Sequence, residues 1–172
     1  NNIDQLNRGT ITDKEGKIIE TVILGKAISL IKKYINLEKD YFWIVYPRNK
    51  NINNLHLQVT GIWDPYQLNQ FDKNNSEKDP NELLEELNLK NNYFSIRGEL
   101  VYVNTKKKEI VIKICSSPPS KRSKYSTFKI IIEGEIPLQF LNNFVSLDVI
   151  RDGNTLRMVK YEIIEKIKSE KV

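Results

Sequence analysis

Lysine and arginine side chains that could neutralise phosphate groups cluster in the C-terminal half of this 172-residue chain. Three consecutive lysines stand in NTKKKE, and a second group stands in SSPPSKRSKY, which also holds a tyrosine. Cationic side chains bind phosphates at any base sequence, and aromatic rings stack on unpaired bases. The candidate nucleic-acid-binding residues are Lys106, Lys107, Lys108, Lys113, Lys121, Arg122, Lys124, Tyr125, Lys129 and Arg151.

The net charge of +5 is concentrated in the same half of the chain. Residues 93–172 hold 15 Lys and Arg against 9 Asp and Glu, whereas residues 1–92 hold 12 against 13. A basic half favours a polyanionic partner. The alternative is a genome rich in A and T, since Ala27 is the single alanine against 21 lysines. Lysines in hairpin turns also discourage pairing between sheet edges.

Residue types that could catalyse a reaction or bind zinc are sparse. His56 and Cys115 are the single histidine and the single cysteine, so the usual zinc ligand sets cannot form. A Cys115–His56 nucleophilic pair would require the two to meet in space, and we expect Cys115 to be an inert buried thiol. Glu82, Glu85 and Glu86 are expected on the solvated face of a short helix. We therefore predict a protein that is not an enzyme, with no metal and no cofactor.

The elements that would position the basic residues are five short strands between residues 93 and 165. Apolar residues alternate in YFSIRGELVYV, KEIVIKICS, STFKIIIEGEI, FVSLDVI and TLRMVKYEII, with a short helical insert, PLQFLNN, before the fourth. In the first strand, Phe94, Ile96, Gly98, Leu100 and Tyr102 are predicted to share one face. A glycine in mid-strand predicts a bulge or sharp coil, and Asp152-Gly153 predicts a two-residue hairpin turn.

The N-terminal half predicts a smaller αβ segment. Residues 1–17 are polar and expected to be frayed, and a strand at 18–24 precedes an amphipathic helix in GKAISLIKKYIN. Strands at 40–48 and 55–63 form a hairpin, with Pro47 ending a strand or marking an edge. Its aromatic residues are interpreted as core packing or, if exposed, as a protein-interaction patch. Residues 64–80 are predicted to be a mobile insertion, followed by a short acidic helix.

The strand–strand–strand–helix–strand–strand order, the glycine in IRGEL and the DG hairpin resemble the OB-fold superfamily over residues 93–166. The whole chain also weakly resembles an uncharacterised cyanobacterial or plastid protein. The resemblance implies that a ligand crosses the face of strands two and three, between the first and last hairpin loops. It would place the loops NTKKKE, SSPPSKRSKY and IRDGN beside one groove.

We therefore predict a mostly β protein, with a five-stranded OB-like Greek-key barrel and an N-terminal helix and β-hairpin. The expected divisions are 1–63, a polar insertion at 64–92, the barrel at 93–166 and a charged tail at 167–172. The predicted function is binding of single-stranded RNA or DNA, without membrane insertion, in a plastid stroma or bacterial cytoplasm. The alternative is an accessory subunit of a larger complex, in which the barrel contacts proteins. Any leader peptide is expected to lie outside this chain.

Overall fold

The computed structural model describes residues 7–13, 15–36, 38–63, 85, 90–116 and 126–166. The chain divides into two compact units. The first comprises Asn1–Arg48 and His56–Asn91, and the second comprises Asn49–Leu55 and Asn92–Val172. Within the described ranges, no helix is long and apolar enough to cross a membrane.

The second unit is the five-stranded barrel that the sequence predicts. Its strands are β5 (Tyr93–Asn104), β6 (Glu109–Ser116), β7 (Ser126–Glu133), β8 (Asn143–Asp152) and β9 (Thr155–Lys166), with a 3-10 turn at Leu138–Phe140. Their order around the barrel is β5-β6-β7-β9-β8, and β5 returns to pair with β8. Closure between β7 and β9 depends on one parallel pair, Glu133 with Arg157. The predicted fold class and strand order are confirmed.

Alternation places the β-branched residues of this unit inside the barrel. Ile110 and Ile112 on β6 lie beside Ile130 and Ile132 on β7, and all four are fully buried. They belong to one apolar cluster with residues of β5, β8 and β9. The outward positions of the same strands carry the polar residues that could meet a ligand.

Gly98 lets β5 change partners. Up to Glu99 the strand pairs with β8, and from Glu99 onward it pairs with β6. A Cβ at Gly98 would lie 2.4 Å from the Lys113 carbonyl oxygen and 2.7 Å from Ile112 Cγ2. The absence of a side chain therefore permits the close crossing that a small barrel requires.

The bulge in β5 lies beyond Gly98, between Leu100 and Tyr102. Leu100 pairs with Ile112, whereas Tyr102 pairs with Val111, so Val101 is the extra residue. An inserted residue reverses the face of every side chain that follows it. The prediction that Tyr102 shares a face with Leu100 is therefore wrong, and its side chain is exposed on the outer face.

The segment Asn49–Leu55 belongs to the barrel unit although it precedes β5 by almost forty residues in the sequence. Leu55 is buried in the barrel's apolar cluster. Asn49 bonds the backbone of β7 in both directions: its Nδ2 donates to the Ile131 carbonyl at 2.6 Å, and the Ile131 N–H donates to its Oδ1 at 2.9 Å. These residues are therefore structural parts of the barrel.

The first unit contains a four-stranded sheet and one helix. The elements are β1 (Arg8–Thr12), β2 (Ile18–Ile23), α1 (Gly25–Tyr34), β3 (Phe42–Asn49) and β4 (Leu55–Trp63), and the sheet order is β1-β2-β4-β3. Ile19, Thr21, Leu57, Val59 and Ile62 are buried in it. The predicted helix and the hairpin are confirmed, and Pro47 does lie in an edge strand. Residues 8–12 were predicted to be frayed, but they form β1, which is paired with β2.

The two units share a strand arrangement. In the first, β2 and β4 are parallel neighbours in the centre of β1-β2-β4-β3. In the barrel, β7 and β9 are the parallel neighbours in β6-β7-β9-β8. The first unit therefore has the arrangement of the barrel without a counterpart of β5 among the described strands.

Candidate nucleic-acid interface

An open groove of about 510 Å³ crosses the outer face of β5, β6 and β7. Its apolar surface comes from Val101, Val111 and Ile131, and Tyr102 is the aromatic side chain in its lining. The remaining lining residues are polar or charged: Asn49, Lys50, Glu109 and Lys129. An aromatic ring on an apolar surface between cations suits a polymer that has flat bases and anionic phosphates.

Tyr102 is 46% exposed, and its ring is held by a side-chain network. Asn104 Nδ2 donates to the Tyr102 hydroxyl at 3.1 Å, and the Lys107 N–H donates to Asn104 Oδ1 at 3.1 Å. The β5–β6 turn and the tyrosine are thus joined through one asparagine. Tyr102 was missed by the sequence reasoning. The signal was the apolar run Leu100 to Val103, which interrupts the alternation that a regular strand would show.

A row of charged residues crosses the same face next to the groove. Glu99 pairs with Lys113 across β5 and β6, and Lys113 pairs with Lys129 across β6 and β7. Lys113 Nζ lies 3.1 Å from Glu99 Oε2, so this predicted phosphate ligand is already in an ion pair. Lys129 is exposed and lines the groove. Of the two predicted strand lysines, Lys129 is therefore the one available to a ligand.

The three lysines of the β5–β6 turn, Lys106, Lys107 and Lys108, are all exposed. Lys108 has a φ of 52° and its Nζ lies 3.4 Å from Glu135 Oε1. Its carbonyl oxygen accepts a bond from the Gly134 N–H at 2.8 Å, which ties the turn to the end of β7. The turn therefore presents Lys106 and Lys107 at the end of the barrel where the groove lies.

The β8–β9 turn reaches the same end of the barrel, but Arg151 does not extend into solvent there. Arg151 is 8% exposed, its Nε donates to Asn92 Oδ1 at 2.9 Å, and its Nη1 donates to the Gly153 carbonyl at 3.0 Å. This prediction for Arg151 disagrees with the geometry, since the guanidinium holds the turn together. The exposed arginine at this end is Arg157, which forms ion pairs with Asp152 at 2.7 Å and Glu133 at 3.7 Å.

The remaining predicted ligands, Lys121, Arg122, Lys124 and Tyr125, lie outside the described residues. So do the predicted insertion at 64–80, the charged tail, and all of the predicted acidic helix except Glu85. The structure therefore describes two of the three basic loops, the β5–β6 turn and the β8–β9 turn. Their convergence with the loop between β6 and β7 remains a prediction.

Cys115, one of the residues considered for catalysis, lies on β6 of the barrel. Cys115 is exposed, so the prediction of a buried thiol is wrong. It lies at an outward position of β6, where alternation turns its side chain away from the core. In the part of the chain that the structure describes, no three His, Cys, Asp or Glu side chains are grouped to bind a metal ion.

Aromatic residues of the first unit are partly exposed. Tyr46 is 54% exposed and Ile44 is 46% exposed on edge strand β3. Phe42 packs against Trp63 with ring centroids 5.6 Å apart, and Tyr41 meets Trp43 edge-on at 6.4 Å. Core packing is therefore not the position of Tyr46, and the other aromatic residues of the hairpin are half-buried, so the interaction patch stays a prediction.

Two family models match the chain, one in each half. Residues 1–70 match the family described as PatR RNA-binding protein, N-terminal OB-fold domain. Residues 96–165 match the family described as cyanobacterial OB-fold-like RNA-binding domain, C-terminal. No curated protein and no solved structure matches the chain.

The two matches follow the order of the domains in that RNA-binding protein, and the second covers the strands that carry the groove. Both families are described as RNA-binding OB-fold domains. The chain therefore contains an OB-fold region and is related to a cyanobacterial family of RNA-binding OB-fold proteins.

Proposed function

We propose that the C-terminal barrel binds single-stranded RNA along the groove across β5, β6 and β7. The observation that carries the proposal is the exposed ring of Tyr102 beside the cations Lys129 and Lys50. Stacking on an aromatic ring requires a base that is not inside a duplex, so the geometry favours a single strand. DNA would satisfy the same contacts.

The division of tasks follows from the chemistry of each side chain. Tyr102 would stack on one base, with Asn104 positioning the ring through its hydroxyl. Lys129 and Lys50 would neutralise phosphates beside that base, and the strand would pass toward Lys106 and Lys107 on the β5–β6 turn. These contacts use no base-specific donor or acceptor, so they tolerate any sequence.

Binding of a fluorescent 12-nucleotide RNA, followed by anisotropy, tests the proposal. Tyr102→Ala should weaken binding by roughly 5- to 150-fold, the range that corresponds to the loss of one stacked base. Tyr93→Ala is the matched control, because Tyr93 is 39% exposed on the same strand and its hydroxyl is also hydrogen-bonded to a side chain, donating to Asp148 at 2.5 Å. Equal losses for the two variants would contradict the proposed groove.

Salt dependence gives a second test. If four lysines each neutralise one phosphate, the slope of log K against log salt is about −2.8, and affinity falls roughly fifty-fold between 50 and 200 mM salt. Lys129→Ala should make that slope shallower by about 0.7. A chain that binds no RNA at low salt would overturn the proposal.

Binding to another protein is a second candidate function, supported by the exposed Ile44 and Tyr46 on β3. Exposed apolar side chains that lie next to one another mark protein-interaction surfaces. Purification from a native extract with and without ribonuclease separates the two candidates. A stoichiometric partner that survives ribonuclease and is lost with Tyr46→Ser would favour the accessory-subunit function.

The proposed location of this activity is a plastid stroma or a bacterial cytoplasm. The support is the match of the C-terminal half to a cyanobacterial domain family. Fluorescence microscopy of the tagged protein tests the location, and a signal confined to membranes would contradict it.

A further inference from the structure

Different residues pair with successive positions along the edge of β7 that faces away from β6. At Glu133 the strand pairs with Arg157 of β9. One step earlier on the same edge, at Ile131, both backbone groups bond the carboxamide of Asn49, with distances of 2.6 and 2.9 Å. A side-chain amide thus takes the place of a neighbouring strand at Ile131.

The next step on this edge is Lys129. Because the backbone of Ile131 is directed to Asn49, the Val111–Ile131 pair is one of the pairs in the β6–β7 ladder that exchange no hydrogen bonds. Such pairs alternate with hydrogen-bonded ones, so the Lys113–Lys129 pair is of the same kind. The N–H and C=O of Lys129 therefore point to the same edge as those of Ile131, about 7 Å further along.

No described residue bonds the backbone of Lys129 on that edge. The pairing of β7 with β9 is confined to Glu133, and the backbone contacts outside the strand ladders do not include Lys129. Lys129, Ile131 and Asn49 all line the groove with Tyr102. An adjacent donor and acceptor are thus available on the β7 side of the groove, with β6 between them and Tyr102.

Asn49 shows which chemistry this edge accepts. Its carboxamide is planar and offers one N–H donor beside one carbonyl acceptor. The Watson–Crick edge of an unpaired base offers the same neighbouring pair: uracil presents N3–H and O4, and adenine presents N6–H and N1. All four bases carry such a pair, so this contact would detect a free Watson–Crick edge and not the identity of the base.

We propose that the backbone N–H and C=O of Lys129 bind the Watson–Crick edge of an unpaired base in the groove. The inference rests on the proposed RNA binding and adds its selectivity: the ligand is a nucleobase whose Watson–Crick edge is free. The N3–H of uracil would donate to the Lys129 carbonyl, and the Lys129 N–H would donate to O4. A duplex would be rejected because its bases use these atoms in pairing.

Two RNAs of equal length and charge test the inference, oligouridylate and the same oligomer made of N3-methyluridine. Methylation removes the N3–H donor but leaves the phosphates and a stacking face. The wild-type chain should bind the methylated oligomer about tenfold more weakly, the loss expected for one or two net hydrogen bonds. Equal affinity for the two oligomers would overturn the inference while the proposed function stands. Binding of neither at low salt would overturn the proposed function.

Two variants at one position separate the backbone from the side chain. Lys129→Ala removes the cation and keeps the N–H, so it should weaken both oligomers equally and preserve the tenfold ratio. Lys129→Pro also removes the N–H that would donate to O4, and its ring would block the approach of the base to the neighbouring carbonyl, so the ratio should fall toward one. Proline is tolerated there because this N–H makes no ladder bond to β6. If Lys129→Pro gave an unchanged ratio with a native circular dichroism spectrum, the inference would be wrong.

Hydrogen exchange on the wild-type chain tests the inference even if the Lys129→Pro variant does not fold. In the wild-type chain, the Lys129 amide should be protected by oligouridylate and less protected by the methylated oligomer. Protection of equal size by both would contradict the inference. The Ile131 amide is the internal reference, since Asn49 already bonds it.

Discussion

Replacing Gly98 by alanine should disrupt the barrel on which the groove depends. The added Cβ would lie 2.4 Å from the Lys113 carbonyl oxygen and 2.7 Å from Ile112 Cγ2, whereas ordinary contacts begin at 3.4 Å. The nearest atom is backbone, so β6 would have to move by about 1 Å and could not relieve the clash by a rotamer change. Overpacking of a core costs about 1–3 kcal/mol, and a clash with backbone lies at the upper end of that range.

Urea unfolding followed by far-ultraviolet circular dichroism measures this cost. With a slope of about 1.5 kcal/mol/M, a loss of about 3 kcal/mol moves the midpoint down by about 2 M. Both tryptophans of the chain, Trp43 and Trp63, belong to the first unit. Tryptophan fluorescence therefore reports that unit, and the difference between the two signals assigns the loss to the barrel.

Gly61→Ala is the matched control, because its added Cβ would meet only Ile44 Cδ1 at 3.6 Å and Ile44 Cβ at 4.0 Å. It should leave the free energy of unfolding within about 1 kcal/mol of the parent, since Gly to Ala in an unstrained position is neutral or mildly stabilising. If Gly98→Ala were as mild as this control, β5 would not cross β6 so closely. The argument that one strand serves both sides of the barrel would then fail.

Three further variants test other contacts. Glu99→Gln should tighten RNA binding two- to threefold in anisotropy by releasing Lys113, while the part-exposed ion pair costs less than about 1 kcal/mol of stability. Leu55→Ala should lower the free energy of unfolding of the barrel by roughly 2–5 kcal/mol in urea, although residue 55 lies outside the predicted barrel boundaries. The hydrogen bond to Asp148 raises the pKa of Tyr93 above its ordinary value of 10.0, so Asp148→Ala should lower its absorbance titration midpoint. The stability from that bond is present below pH 10.0 and lost as the pH rises through the folded pKa, so the variant should lose stability at pH 8 and not at the highest pH.

The sequence predicts the barrel well because its strands have one apolar face each. Isoleucines at every second position of β6 and β7 can be buried together only if these strands pair in one register. The turn between β8 and β9 was predicted one residue early. Asp152 pairs with Thr155, so the turn residues are Gly153 and Asn154, and Gly153 takes the positive φ of 58°.

The site was less predictable than the fold because two of its features are not local. Tyr102 changes face through a bulge whose position is set by pairing with β6, and alternation alone places it inside. Asn49 reaches Ile131 across 82 positions of sequence. Side chains such as Arg151 were assigned by residue type, but burial beside Asn92 gives that arginine a structural task. Residue type and loop position predict which groups could meet a phosphate, and packing decides which of them remain exposed.

The described strands of the first unit form an open version of the strand arrangement in the barrel. Its end strands, β1 and β3, are the counterparts of β6 and β8, which in the barrel both pair with β5. Unpaired edges invite association unless they are short, polar or interrupted. Strand β1 has five residues, RGTIT, with four of them exposed, and β3 carries Pro47, which cannot donate to a neighbouring strand. Among the strands that the structure describes, these two edges are therefore protected by their own composition. The same composition makes the shared strand arrangement hard to predict from the sequence, because a polar five-residue strand resembles a frayed terminus. Its pairing with β2 identifies β1 as a strand.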